Sequence, residues 1–93
     1  MRYTVIRSTR FKKAYKRMHR HKRFNEEIFA TVVNTLANSE KIDSRYKDHQ
    51  LTGNLKAFRE CHLAPDILLI YQKEKDVLLL TLVSIGNHSQ LFK

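Results

Sequence analysis

The sequence has no tryptophan and is poor in three further residue types, with one cysteine, one proline and two glycines among 93 residues. The single cysteine, Cys61, excludes an intramolecular disulfide and any zinc site built from several cysteines. With 42% hydrophobic residues and so few glycines and prolines, the chain is not of the disordered class. It has no apolar run that approaches the roughly 20 residues of a membrane-spanning helix. Arg7 ends the first apolar run well before it reaches the length that a signal peptide requires. We therefore expect one soluble, cytoplasmic domain over residues 1–93 that does not bind a membrane.

Acidic residues are also scarce. There are 9 Asp and Glu against 18 Lys and Arg, for a formal net charge of +9, and ten basic residues precede the first acidic one, Glu26. Such an unbalanced block indicates an anionic partner, for which nucleic acid and the ribosome are the natural candidates. A membrane surface is less favoured, because the apolar face of the first helix is narrow and is needed for the core.

Hydrophobic periodicity predicts an α+β fold with the order β-α-α-β-β-β. Residues 3–6 suit a short first strand, and the stripe of Phe11, Ala14, Tyr15 and Met18 predicts an amphipathic helix. A second helix is expected to begin after Asn25 as N-cap. Residues 41–54 are interpreted as a polar loop, and strands are predicted at 55–63, 67–72 and 77–83 with turns between them. The two helices should pack on an antiparallel sheet of about four strands.

Titratable side chains at the ends of the later strands suggest proton-transfer chemistry. RNA carries its own nucleophile, so a base, an acid and a cation near the scissile phosphate are enough to cleave it without a metal. The candidate acids and bases are His49, His62, Asp66 and His88. The candidate cations are Lys47, Lys56 and Arg59. Phe92, in a polar tail, is a candidate for stacking on a base.

Other interpretations of these residues stay open at this point. His49 and His88 also suit polar loop positions, and His62 suits a half-exposed strand position. Three histidines with an aspartate are good ligands for zinc, although the sequence has no close ligand pair of the H-E-x-x-H kind. The spacing alone is a weak signal.

Three blocks in combination resemble the YafQ-like branch of the RelE/ParE toxin superfamily. They are residues 46–53 (YKDHQLTG), 58–71 (FRECHLAPDILLIY) and 86–92 (GNHSQLF). With the basic helices before them, the resemblance covers essentially the whole chain.

The resemblance implies a RelE-like fold and a toxin of a type II toxin-antitoxin pair. Such toxins enter the A site of the 70S ribosome and cleave the mRNA being translated, with no cofactor. The family's catalytic and mRNA-positioning residues fall on His49, His62, Asp66, His88 and Phe92. The expected partners are the ribosome, mRNA and an acidic antitoxin in a heterotetrameric complex. The alternatives are a ParE-like inhibitor of DNA gyrase and a plain basic RNA-binding module.

Two positions depart from the family pattern. Ser84 stands where YafQ has an arginine, and Ile67 stands where it has a tryptophan. A fixed guanidinium is the natural stabiliser of a phosphorane, so Ser84 predicts weaker or altered cleavage unless Lys47, Lys56 or Arg59 compensates.

Overall fold

The computed structural model describes residues 2–92. Its elements are β1 (Thr4–Arg7), α1 (Thr9–Met18), α2 (Glu26–Ala37), β2 (His49–Gln50), β3 (Arg59–Ala64), β4 (Ile67–Glu74), β5 (Leu79–Gly86) and α3 (His88–Leu91). Short 3-10 helices at Ser44–Tyr46 and Gly53–Leu55 flank β2. The predicted α+β class is confirmed.

The sheet has five strands in the order β1-β5-β4-β3-β2, one more than predicted. β3, β4 and β5 form the expected antiparallel meander, but β1 pairs with β5 in parallel, so the sheet is mixed. The extra strand is β2, which lies in the segment interpreted as a loop. It is only two residues long and pairs with Glu60 and Arg59 of β3, so its register is set by its partner and not by its own polar sequence.

Two strand boundaries also differ from the prediction. β3 begins at Arg59 and not at Leu55, because residues 53–55 turn as a 3-10 helix that starts with Gly53 at φ +65°. β5 begins at Leu79, since Leu78 takes a left-handed φ of +52° in the preceding turn. β5 then continues to Gly86, which brings the strand directly to α3.

Side-chain caps fix where the helices begin. The Ser8 hydroxyl accepts a hydrogen bond from the Phe11 N–H at 3.0 Å and donates to the Val83 carbonyl at 2.9 Å, which ties the start of α1 to β5. The Asn25 side chain accepts from the N–H groups of Glu27 and Ile28, as predicted for an N-cap.

The hydrophobic core lies between the two helices and one face of the sheet. Phe11 of α1 and Val32 of α2 pack with Cys61, Leu80 and Leu82 of the strands, and each is at most 1% exposed. Burial raises the pKa of the Cys61 thiol to about 12, so Cys61 stays a protonated core residue. Within residues 2–92, no helix combines the length and apolar character needed to cross a membrane.

Candidate active site

Polar side chains gather on the face of the sheet opposite α1 and α2. Because strand residues alternate between faces, Glu60 and His62 share this face while Cys61 points into the core. His49 of β2 pairs with Glu60 in the register, and Glu60 pairs with Ile70 of β4, which in turn pairs with Ser84 of β5.

Three imidazoles form a row along this face. The ring centroids of His49 and His62 are 6.4 Å apart, and those of His62 and His88 are 6.5 Å apart. The Phe92 ring continues the row 5.7 Å beyond His88. We call His49, His62 and His88 the histidine row. The structure thus brings together three of the four acids and bases predicted from the sequence.

A buried carboxylate lies beneath the row. Glu60 is 3% exposed, and its Oε1 lies 3.2 Å from His62 Nε2 and 3.8 Å from His49 Nε2. An ionised carboxylate is seldom buried without a partner, so these imidazoles are its natural counter-charges when protonated. The sequence analysis missed Glu60, although its place two residues before His62 in an alternating strand was an available signal.

The loop before β2 sets the tautomer of His49. The Nδ1 of His49 lies 2.8 Å from the Lys47 carbonyl oxygen. A carbonyl can only accept, so Nδ1 carries the hydrogen, and in the neutral ring Nε2 keeps a free lone pair. That nitrogen can accept a proton, and the side chain is 51% exposed to a substrate.

A capping box places His88 and Phe92. The Gln90 N–H donates to the Asn87 side chain, and the Asn87 N–H donates to the Gln90 side chain, both at 2.9 Å. A Cβ at Gly86 would lie 2.6 Å from Gln90 Oε1, so a larger residue there would displace the Gln90 amide from the capping box. The sequence analysis predicted no helix at His88–Leu91, since four residues are too few to show a helical period.

Arg59 lies on the opposite face of β3 and is engaged in a polar network. Its guanidinium donates to Asp48 at 2.8 Å and to the Tyr71 hydroxyl at 3.3 Å, and the Tyr71 hydroxyl also donates to Asp48. The hydrogen bond to Asp48 raises the pKa of Arg59, and burial followed by the same carboxylate raises the pKa of Tyr71. The guanidinium of Arg59 is therefore already engaged by Asp48 and Tyr71, and its predicted role in offsetting charge at the phosphate stays a prediction.

Asp66 contacts basic side chains outside the histidine row. Its Oδ2 lies 3.6 Å from Arg23 and 3.8 Å from His21, both in the connection between α1 and α2. His21 had no role in the sequence analysis. The role of Asp66 in proton transfer stays a prediction.

The remaining predicted cations line two clefts. Lys47 borders a cleft that reaches His62, whereas Lys56 and Arg59 share another with Lys73. Ser84 is 4% exposed and lines a cavity of about 140 Å³ together with Arg10 of α1.

Within residues 2–92, no three His, Cys, Asp or Glu side chains are grouped as metal ligands.

Known proteins are similar to this chain in sequence and fold. The mRNA interferase toxin YafQ of Escherichia coli K12 is 34% identical over 73 residues, which are 78% of this chain and 76% of that protein. A crystal structure described as a metal-bound toxin from Helicobacter pylori is 42% identical, with a TM-score of 0.89 over 99% of this chain and 100% of the other. YafQ in the E. coli DinJ-YafQ toxin-antitoxin complex is 29% identical, with a TM-score of 0.86 over all of both chains. Residues 3–93 match the family described as the bacterial toxin of type II toxin-antitoxin systems, YafQ, and the chain therefore belongs to that family.

Proposed function

We propose that the protein is a ribosome-dependent, metal-independent endoribonuclease that cleaves translated mRNA in the A site. The observation that carries this proposal is the histidine row over the buried carboxylate of Glu60. Three imidazoles within 6.5 Å of their neighbours supply proton donors and acceptors on a single exposed face. The name of the E. coli relative, an mRNA interferase, agrees with this chemistry.

The row supports cleavage by attack of the ribose 2′-hydroxyl. His49 Nε2 takes the 2′-hydroxyl proton as the 2′ oxygen bonds to the phosphorus. The bond from phosphorus to the 5′ oxygen breaks, and His88, on the other side of His62, gives that oxygen its proton. The products are a 2′,3′-cyclic phosphate and a free 5′-hydroxyl. General acid and base groups contribute roughly 10² to 10⁴ each to such rates.

The positive charge supports a ribosomal location. The exposed side of α1 carries Lys12, Lys13, Lys16 and Arg17, and no acidic residue precedes Glu26. Ribosomal RNA offers a matching dense negative surface in the cytoplasm, where translated mRNA is found. Lys47 and Lys56 then contact mRNA phosphates, and Phe92 stacks on a base.

No step of the proposed reaction uses a metal ion. The H. pylori toxin is described as metal-bound, and imidazole with carboxylate is a donor set suited to zinc or copper. In this chain Glu60 Oε1 and His62 Nε2 instead face each other at ion-pair distance, and no three-ligand group forms among the described residues. The disposition of these side chains favours proton transfer.

The first test is induced expression with mapping of mRNA ends. The wild-type chain should arrest growth and produce cuts within translated reading frames, and His88→Ala should suppress both by at least about 100-fold in cleavage rate. His19→Ala is a matched control that removes an imidazole outside the row and should cut normally. Purified protein that is first stripped of metal with EDTA and then moved to chelator-free buffer should still cleave mRNA on ribosomes kept in Mg²⁺.

Three outcomes would contradict the proposal. Intact mRNA during arrest excludes the nuclease. Loss of cleavage by the metal-stripped protein, restored by adding back a transition metal, excludes the metal-independent mechanism. DNA-damage signalling with an arrest that survives loss of all three row histidines would instead identify a gyrase inhibitor of the ParE kind.

We further propose an acidic antitoxin as the cellular partner, since the solved E. coli relative is in a complex with an antitoxin and this chain is strongly basic. Co-expression with a small acidic protein from an adjacent gene should restore growth, because complementary charge covers the basic surface. The two proteins should co-purify as a heterotetramer, measured by native mass spectrometry. Continued arrest with no complex would refute this pairing.

A further inference from the structure

A cleft of about 380 Å³ opens beside His62, between the 3-10 helix at Ser44–Tyr46, the start of α2 and the end of β3. Its walls include Tyr46, Ile28 and Pro65, and Lys47 stands at its border. We call it the Tyr46 cleft. Its volume lies within the range of small-ligand sites, about 300 to 1,000 Å³. Its contact with His62 places any occupant next to the histidine row.

From this geometry we propose that the Tyr46 cleft binds one nucleobase of the RNA substrate, beside the bond to be cleaved. The inference rests on the proposed ribonuclease function and adds a base-binding subsite to it. Three features of the cleft carry it: a stacking surface, an available cation and an unpaired strand edge.

The stacking surface is the half-buried ring of Tyr46. The Arg45 guanidinium lies 5.5 Å from the ring centroid, and Ile28 and Pro65 provide further apolar walls. An aromatic ring with an adjacent guanidinium is the platform on which proteins stack single-stranded bases. These apolar walls can pack against the face of a base that Tyr46 does not cover.

The available cation is Lys47. Arg45 already pairs with Asp43 at 3.1 Å, so its charge is offset. Lys47 is exposed at the rim and holds a left-handed φ of +50°. Its carbonyl accepts the hydrogen bond from His49, so the residue that can hold a phosphate also fixes the ring that takes the proton.

The strand edge is the part of β3 that β2 does not cover. In the described structure β2 pairs only with Arg59 and Glu60, so residues 62–64 face the cleft with no neighbouring strand on that side. Main-chain N–H and C=O groups at such an edge are free to bond the polar edge of a base. The cleft thus offers both stacking and polar contacts.

The test uses fluorescence anisotropy with labelled single-stranded hexamers of 2′-O-methyl RNA, which cannot be cleaved. One nucleotide at a time is replaced by its abasic form. At one position, loss of the base should weaken binding about 10-fold, as expected for a stacked base. Tyr46→Ala should abolish this penalty, and Tyr46→Phe, which keeps the ring, should retain it.

Two comparison variants separate base from phosphate contacts. Lys47→Ala should weaken the binding of intact RNA and of abasic RNA by the same factor. Phe92→Ala should leave the penalty at the Tyr46 position unchanged. An equal abasic penalty in the wild type and in Tyr46→Ala would overturn the proposal, as would the absence of RNA binding at low salt.

A second measurement covers the case in which Tyr46→Ala does not fold. Cytidine or adenosine 3′-monophosphate titrated into isotope-labelled wild-type protein should shift the amide signals of residues 45–47 and 62–64. Shifts confined to residues 88–92 would place the base elsewhere. Neither measurement depends on cleavage. A protein that binds the base but does not cleave RNA would therefore contradict the ribonuclease proposal and not the base-binding proposal.

Discussion

Replacing Glu60 by glutamine should lower the cleavage rate on ribosomes on the order of 100-fold. Glutamine has the same shape, so the packing around this 3%-exposed position is kept. What is lost is the negative charge 3.2 Å from His62 and 3.8 Å from His49. When His49 takes a proton from the substrate, the buried charge of Glu60 stabilises the resulting imidazolium.

The loss should fall on kcat and leave KM for the ribosome nearly unchanged, because Glu60 is buried and has no surface to offer mRNA. A merely structural role predicts a different result, in which activity falls only as far as the folded fraction does. Glu74→Gln makes the same chemical change on β4 away from the row and should cleave normally. Normal kcat in Glu60→Gln would exclude Glu60 from the chemistry.

Local patterns in the sequence predicted the helices and the meander, because these depend on neighbours in the chain. The α1 stripe of Phe11, Ala14 and Met18 is buried as predicted. The parallel pairing of β1 with β5 joins residues about 75 positions apart, such as Thr4 and Leu79. No local pattern carries that information. The two-residue β2 likewise forms only because it can hydrogen-bond to the backbone of β3.

In the candidate site, too, some residues could be predicted from the sequence and others depend on long-range contacts. Family motifs predicted His49, His62 and His88, and the structure places them in one row. Residue type and spacing did not show that Asp66 lies against the basic connection between the helices, since that contact depends on where α1 ends. Glu60 was missed because a charged residue in a strand ordinarily points to solvent, whereas the structure places this carboxylate beneath His49 and His62, where it is 3% exposed.

Asp48→Asn is expected to cost about 2 kcal/mol of unfolding free energy, or roughly 10 °C in melting temperature. Asp48 accepts from both Arg59 and Tyr71, and its side chain is 14% exposed. The amide removes the charge that balances the guanidinium and leaves a partly buried cation short of a partner. The cost stays moderate because the Arg59 side chain is 38% exposed and water can solvate it.

A double-mutant cycle with Tyr71→Phe tests the network directly. The two substitutions should be non-additive by about 1 kcal/mol, since Tyr71→Phe removes the hydrogen bond that Asp48→Asn weakens. Asp76→Ala, in the exposed turn before β5, is the matched control and should change stability by less than about 0.5 kcal/mol. Additive effects in chemical denaturation would mean that Asp48 and Tyr71 do not share a bond in solution.

Alkaline pH gives the same network a second readout. Burial and Asp48 raise the pKa of Tyr71 above its ordinary value of 10.0, so the hydroxyl stays protonated in the folded state at a pH where the unfolded chain ionises. A raised pKa contributes stability in full below pH 10 and loses it as pH rises toward the folded value. The stability of the wild type relative to Tyr71→Phe should therefore fall above pH 10, by up to about 1.4 kcal/mol per pH unit. A difference that does not change with pH would show that the phenol is not held by Asp48, and the loop that carries Lys47 and His49 would need another anchor.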